Sequence, residues 1–250
     1  MVLLAALFCA TALLYSAAGF GGGSTYTALL VLAGVDYRAV PIVSLICNII
    51  VVSAGTWRFA RDGHLDWRRA WPLFLTSVPA AWIGGRLLIG ETLFVALLGA
   101  SLLIAGLLML WQPPAAPAAG IAPMGGSRWV EPVAGAGLGF AAGVVGIGGG
   151  IFLAPLLYLL RWGAPKRIAA TCAAFILVNS LAGLAGQASK GLGAAGAVIG
   201  EHILLFPAVA AGGMIGAWLG SDRLDPKWVR VLTAVLILTV AVRLLLRLAR

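Results

Sequence analysis

Gly19-Phe20-Gly21-Gly22-Gly23 and Gly146-Ile147-Gly148-Gly149-Gly150 spell one pattern, GxGGG, twice in a chain of 250 residues. Four glycines in five residues cost a helix roughly 1 kcal/mol each relative to alanine, so each copy marks a break. The sequence around both copies is apolar. No Lys, Arg, Asp or Glu occurs from Met1 to Val35, Ala39 to Trp57, Thr92 to Ser127, Pro132 to Leu160 or Ile168 to Ser189. Several of these runs exceed the roughly 18 apolar residues that mark a transmembrane helix. Hydrophobic residues make up 62% of the chain and charged residues 10%, with a mean hydropathy of +1.05. A soluble globule has about a quarter charged residues and cannot cover its surface with so few. The fold class is therefore an all-α polytopic membrane protein, and a soluble enzyme, a disordered chain and a disulfide scaffold are excluded.

In a bilayer a broken helix frees peptide groups that have no water to bond, which is tolerated only where the break is buried or lines an aqueous cavity. The segment after each break is short, at about 24–34 and about 151–162, roughly half the hydrocarbon thickness at 1.5 Å per residue. Two half-helices that begin near the midplane turn their amides and positive dipole ends toward each other, which makes a backbone-built anion site. Close helix packing through glycine is the competing reading and suffices for a single motif. The matched pair, each copy before a half-length segment, suits a binding site equally well. A dinucleotide fingerprint is rejected, because the GxGxxG spacing and a βαβ unit are both missing.

Outward from the breaks, apolar runs predict helices at about 2–18, 39–59, 70–88 and 91–111, then 129–145, 166–187, 199–220 and 227–247. With the two short segments this makes about eight full transmembrane helices plus broken or re-entrant pieces. The stretch 112–128, rich in Pro, Ala and Gly, reads as a linker between a first repeat at 1–111 and a second at 129–250. Other matches keep the same order. Gly34 and Arg38 correspond to Gly163 and Arg167, and Ala54-Gly55 to Ala182-Gly183. Ile83-Gly84-Gly85-Arg86-Leu87 echoes Ile215-Gly216-Ala217-Trp218-Leu219. Such weak internal symmetry is common in transporters, whose sites lie where repeats meet.

The net charge of +9 sits in short loops between apolar runs, so it reads as topology rather than as a nucleic-acid surface. Arg58, Arg61, Arg68 and Arg69 place the loop after the third segment in the cytoplasm. In the second half the equivalent loop has only Lys190, and the basic clusters are Arg161, Lys166, Arg167 and Arg223, Lys227, Arg230. The positive-inside rule then predicts inverted repeats, with Arg243, Arg247 and Arg250 as the part that fits poorly. Cys9, Cys47 and Cys172 lie far apart in apolar stretches, so neither disulfides nor zinc is indicated. The N-terminus lacks the basic n-region of a cleaved signal peptide.

Polar residues inside the apolar runs are few. Ser24, Thr25 and Thr27 follow the first break. Asn48 lies in the middle of the 39–59 segment, and Thr171 and Asn179 lie in 166–187, with Gln187 near its end. Asn48 and Asn179 occupy similar depths and are expected to face one cavity; interhelical hydrogen bonding, worth about 0.6 kcal/mol on average, is the other reading. Arg86, Glu91, Glu201 and His202 lie near helix ends, where they snorkel or cap, and His64 belongs to a charged loop. No mid-membrane carboxylate offers a proton relay, no His/Cys cluster a metal site, and no Walker motif an ATP site. No cofactor is expected.

The duplicated glycine motif, the Gly163, Arg167, Thr171, Cys172 stretch and the basic loop after the third segment together resemble the sulfite exporter TauE/SafE family, also called the toluenesulfonate uptake permeases. The resemblance covers essentially the whole chain. It implies a multi-pass permease of a bacterial-type inner membrane for small sulfur oxyanions or organosulfonates. It carries over Gly19, Gly21, Gly22, Gly23, Gly146, Gly148, Gly149 and Gly150 as substrate-region residues. From the residues themselves we add Ser24, Asn48, Thr171 and Asn179. The expected partners are a small anion and the lipid bilayer, with no nucleic acid, and a homo-oligomer is left open. With the cytoplasm negative, each negative charge that leaves gains about 2.3 kcal/mol per 100 mV, so export runs downhill. Ion-coupled uptake, a passive anion channel and a non-transport assembly factor are the alternatives. Leucine at Gly22 and Gly149 is expected to abolish transport and spare insertion.

Overall fold

The computed structural model describes residues 1–17, 19–111, 129–190, 196, 199–219 and 226–248. Among them, ten helices of at least ten residues follow one another: α1 (Val2–Ala17), α2 (Gly23–Leu32), α3 (Val40–Arg61), α4 (Trp67–Arg86) and α5 (Glu91–Trp111), then α6 (Val130–Val145), α7 (Gly150–Leu159), α8 (Pro165–Ala188), α9 (Leu205–Leu219) and α10 (Pro226–Leu248). All regular structure among the described residues is helical. The 112–128 linker and Arg223 lie outside them.

Local chemistry explains where the helices start. Pro41 and Pro165 occupy the first turns of α3 and α8, where a missing N–H costs nothing. The Asp66 carboxylate caps α4 by accepting the Arg69 backbone N–H at 3.2 Å. Asp66→Ala is expected to cost about 1 kcal/mol, read as a lowered midpoint of thermal unfolding in detergent.

Among the described residues three helices, α3, α5 and α8, are long and apolar enough to cross a membrane. The expectation of about eight full spans is met only in this coarser form, for a physical reason: α1 and α6 stop at the glycines after 16 residues, about 24 Å of helix. α9 has 15 residues, and α4 carries Arg68, Arg69 and Arg86.

The principal contacts join helices that precede residue 112 to helices that follow residue 128. α1 packs on α9, α4 on α6, α3 on α8 and α5 on α10. On α6, Gly135, Gly139 and Gly143 form a stripe at four-residue spacing. A Cβ at Gly135 would sit 2.5 Å from the Leu73 carbonyl oxygen, and one at Gly139 2.7 Å from the Ser77 Cα; one at Gly143 would overlap the Ala81 carbonyl. Backbones therefore touch directly, and because the paired positions advance together α4 and α6 run parallel. The same holds for α1 and α9, where Gly212 and Gly216 face the Cys9 and Leu13 carbonyls. α5 and α10 are antiparallel, since Gly99 meets Leu245 and Gly106 meets Leu238. Without a hydrophobic drive between helices in lipid, such close approach is what holds them together.

One end of the bundle gathers the basic loops. The Arg69 guanidinium donates to the Trp162 carbonyl and stacks on its ring at 4.7 Å, while Trp162 Nε1 donates to Glu131 at 3.1 Å. Arg58, Arg61, Arg68 and Arg69 thus share an end with Arg161, Lys166 and Arg167. Lys190, past the other end of α8, donates to Gln187 Oε1 at 2.9 Å, and burial lowers its pKa.

The turn after each short helix differs from the sequence match. Gly34 closes α2 in the left-handed region at φ 77°, but after α7 the residue in that conformation is Arg161 at φ 48°, not Gly163. Matching hydrogen bonds, Val35 N–H to Leu30 and Trp162 N–H to Leu157, identify the two turns as equivalents.

Candidate functional site between two helix breaks

Each break reverses the chain inside the bundle. α1 ends at Gly19, whose N–H donates to Ser16 at 3.1 Å while that of Phe20 reaches back to Tyr15 at 2.8 Å. α6 ends at Gly146, donating to Ala142 at 2.9 Å. α2 and α7 then start behind Gly22 and Gly149, at φ 86° and 77°. These left-handed positions are why glycine stands there. The Phe8 ring stacks on Tyr26 at 4.7 Å and the Tyr15 hydroxyl lies 2.9 Å from that of Thr25, so α2 folds back along α1.

The breaks meet at α3. The Ser44 hydroxyl lies within bonding distance of two carbonyls, Gly146 at 2.9 Å and Gly23 at 3.2 Å. One turn on, the Asn48 amide donates to the Ile147 carbonyl at 3.3 Å. The space is tight. A Cβ at Gly23 would overlap the Asn48 amide nitrogen and sit 2.5 Å from the Ile147 oxygen. One at Gly21 would lie 2.6 Å from Asn48 Oδ1, and one at Gly148 2.8 Å from Asn48 Nδ2 and 3.3 Å from Ser180 Oγ. Ser44, Asn48 and Ser180 are fully buried. The N-termini of α2 and α7, with their positive dipole ends, open onto this node.

Of the residues singled out in the sequence, the structure brings together Gly21, Gly23, Gly146, Gly148 and Asn48. Gly150 faces Ile176, and Gly22 packs on Thr11 and Tyr26, with Gly149 on Phe175. Gly19 is half-buried against Phe59 and Ala169. Ser24 turns to Tyr15, 3.5 Å away. Thr171 and Asn179 bond to their own helix, at the Arg167 and Phe175 carbonyls. The expected pairing of Asn48 with Asn179 is replaced by an asymmetric arrangement. Gly23 meets Asn48 where Gly150 meets Ile176, and Gly21 meets Val52 where Gly148 meets Ser180. Ile176 therefore fills in α8 the place that Asn48 has in α3. Sequence reasoning missed Ser44 and Ser180; the helical spacing of Ser44 and Asn48, one turn apart on one face, was the available signal.

Two side-chain atoms of the node, Asn48 Oδ1 and Ser180 Oγ, are buried without a hydrogen-bond partner among the described residues, as is Asn179 Oδ1 on the same helix as Ser180. A buried unpaired polar group costs about 1–3 kcal/mol, and such groups in native proteins call for a reason. A neutral cluster of amide, hydroxyl and helix-terminal N–H groups can hydrogen-bond an oxyanion without a buried cation. Among the described residues no three His, Cys, Asp or Glu side chains gather to hold a metal.

The geometry also changes what substitutions at the breaks do. Leucine at Gly22 or Gly149 meets a left-handed backbone and side chains about 3 Å from its Cβ, so both changes disturb the fold itself and cannot isolate transport.

No solved structure matches the chain. A curated protein of Sinorhizobium fredii (strain NBRC 101917 / NGR234), described as probable membrane transporter protein y4hK, is 34% identical over 243 residues, covering 97% of each chain. The family model described as sulfite exporter TauE/SafE matches residues 3–244. With a match of that extent, the chain is a membrane protein of transporter type and belongs to the sulfite exporter TauE/SafE family.

Proposed function

We propose that the protein is a multi-pass permease of the inner membrane that exports a small sulfur oxyanion or organosulfonate through the node between α2, α3, α7 and α8. The observation that carries this reading is the joint attachment of both breaks to one helix, Ser44 to Gly23 and Gly146 and Asn48 to Ile147. It sets two helix N-termini around Asn48, whose Nδ2 carries a second N–H beyond the one given to Ile147, and around the Ser180 hydroxyl, which has no partner among the described residues and can donate to an anion. The family name supports a sulfur oxyanion as the solute. The sharing of one bundle end by the two basic clusters supports inverted repeats oriented with that end in the cytoplasm. The exchange of packing partners, α1 with α9 and α6 with α4, supports the same duplication.

Ser44, Asn48 and Ser180 are fully buried, so passage needs the breaks to part from α3. Movement of one negative charge outward gains about 2.3 kcal/mol per 100 mV, which suffices without a proton relay. Proteoliposomes loaded with radiolabelled sulfite or an organosulfonate test this. Efflux is expected to saturate with concentration and to quicken when the loaded side is made negative. Flux that rises linearly without saturation marks a channel, and no flux for any sulfur anion removes the proposal.

A further inference from the structure

Away from the breaks, at the basic end of the bundle, an open groove of about 430 Å³ runs between the ends of α3 and α9. Trp57, Arg58 and Arg61 line it from α3, and Ala217 and Trp218 from α9. Both indoles face outward, with Trp57 65% and Trp218 80% exposed. The Arg61 guanidinium lies over the Trp57 ring at 5.5 Å, and Arg58 donates to the Ala217 carbonyl at 3.0 Å. Among the described residues neither guanidinium has a carboxylate bonded to it. Among the described lining residues Asp62 is the one acid, so there two cations face one anion.

These features combine into a specific demand. Exposed tryptophans on a membrane protein settle at the interface between headgroups and acyl chains, with one end apolar and one wet. A guanidinium fork at that depth matches phosphate oxygens in pairs. A free phosphate has no use for two indole walls, and a zwitterionic lipid gains less from the excess positive charge. We propose that this groove holds the headgroup phosphate of an anionic phospholipid, with Arg58 and Arg61 on the phosphate and Trp57 and Trp218 against the glycerol and first acyl carbons.

A second groove of about 280 Å³ serves as an internal comparison. It is lined by Trp82, Ile83, Arg86, Leu87 and Leu88, with Arg86 over Trp82 at 5.2 Å, and has a single cation. The first groove is the stronger site.

The full-length protein, delipidated in detergent, is titrated with phosphatidylglycerol or phosphatidylcholine, and retained lipids are counted by native mass spectrometry. Phosphatidylglycerol is expected to be retained at least about fivefold better, and Arg61→Gln to remove about fivefold of that preference. Arg61 is exposed and is not bonded across to α9, so its replacement leaves the helix pair intact; Arg61→Lys keeps the charge and most of the binding. Arg86→Gln leaves the first lipid in place. Equal retention of the two lipids, or no change in Arg61→Gln, overturns the proposal. Displacement of the lipid by millimolar inorganic phosphate also overturns it, in favour of a free-anion site.

Discussion

If the proposed function holds, Asn48→Ala is expected to lower anion flux by about 10- to 100-fold while the protein still folds. The magnitude follows from losing one hydrogen bond from the second N–H of Asn48 Nδ2 to a charged ligand, about 1.5–3 kcal/mol. Stability changes less because opposing effects meet at one residue. The substitution leaves the Ile147 carbonyl without its donor, but it also removes Oδ1, which has no hydrogen-bond partner among the described residues. The two effects offset each other to within about 1–2 kcal/mol. Asn48→Asp sharpens the test, since it is nearly the same shape with a charge that repels an anion. Its flux is expected to fall below that of Asn48→Ala. Proteoliposome efflux, normalised to the folded fraction from size-exclusion chromatography, reads both. If Asn48→Asp carries more flux than Asn48→Ala, the ligand of the node is not an anion.

The largest effect on stability is expected at Gly143. A side chain there overlaps the Ala81 carbonyl and lies 2.8 Å from the Gly85 nitrogen. Backbone cannot swing aside as a side-chain tip can, so α4 and α6 must separate. Gly143→Leu is expected to cost more than about 4 kcal/mol and to abolish a monodisperse folded species. Gly137→Leu on the same helix is the control. No atom lies within 4 Å of a Cβ at that position, so stability stays within about 0.5 kcal/mol of wild type. Similar melting temperatures for the two variants would show that α4 and α6 are not joined through this stripe.

Much of this architecture was legible in the residues. Hydropathy placed most helices to within a few positions, because charge-free runs report where a chain lies in lipid; the segment expected at 199–220 instead begins its helix at Leu205. The breaks were legible for the same reason, since four glycines in five residues have no good use inside a helix. The partners of the breaks were not. Asn48 and Asn179 share a residue type and a depth, but a helix turns 100° per residue, and the equivalent of Asn48 proves to be Ile176, with Asn179 on another face. The match of Gly34 with Gly163 was misleading in a similar way, since the left-handed turn falls at Arg161. Letter identity follows composition, whereas conformation follows hydrogen bonding. The Gly135, Gly139 and Gly143 stripe was visible as spacing, but spacing alone does not say which helix it accepts.

The crosswise docking of α1 on α9 and of α6 on α4 bears on biosynthesis. When the ribosome has completed α5, the glycine-lined partners of α1 and α4 have yet to be translated. The early segments must wait in lipid or under a chaperone until the late ones emerge. A fragment cut near residue 120 should therefore be degraded when made alone and rescued when the remainder is co-expressed.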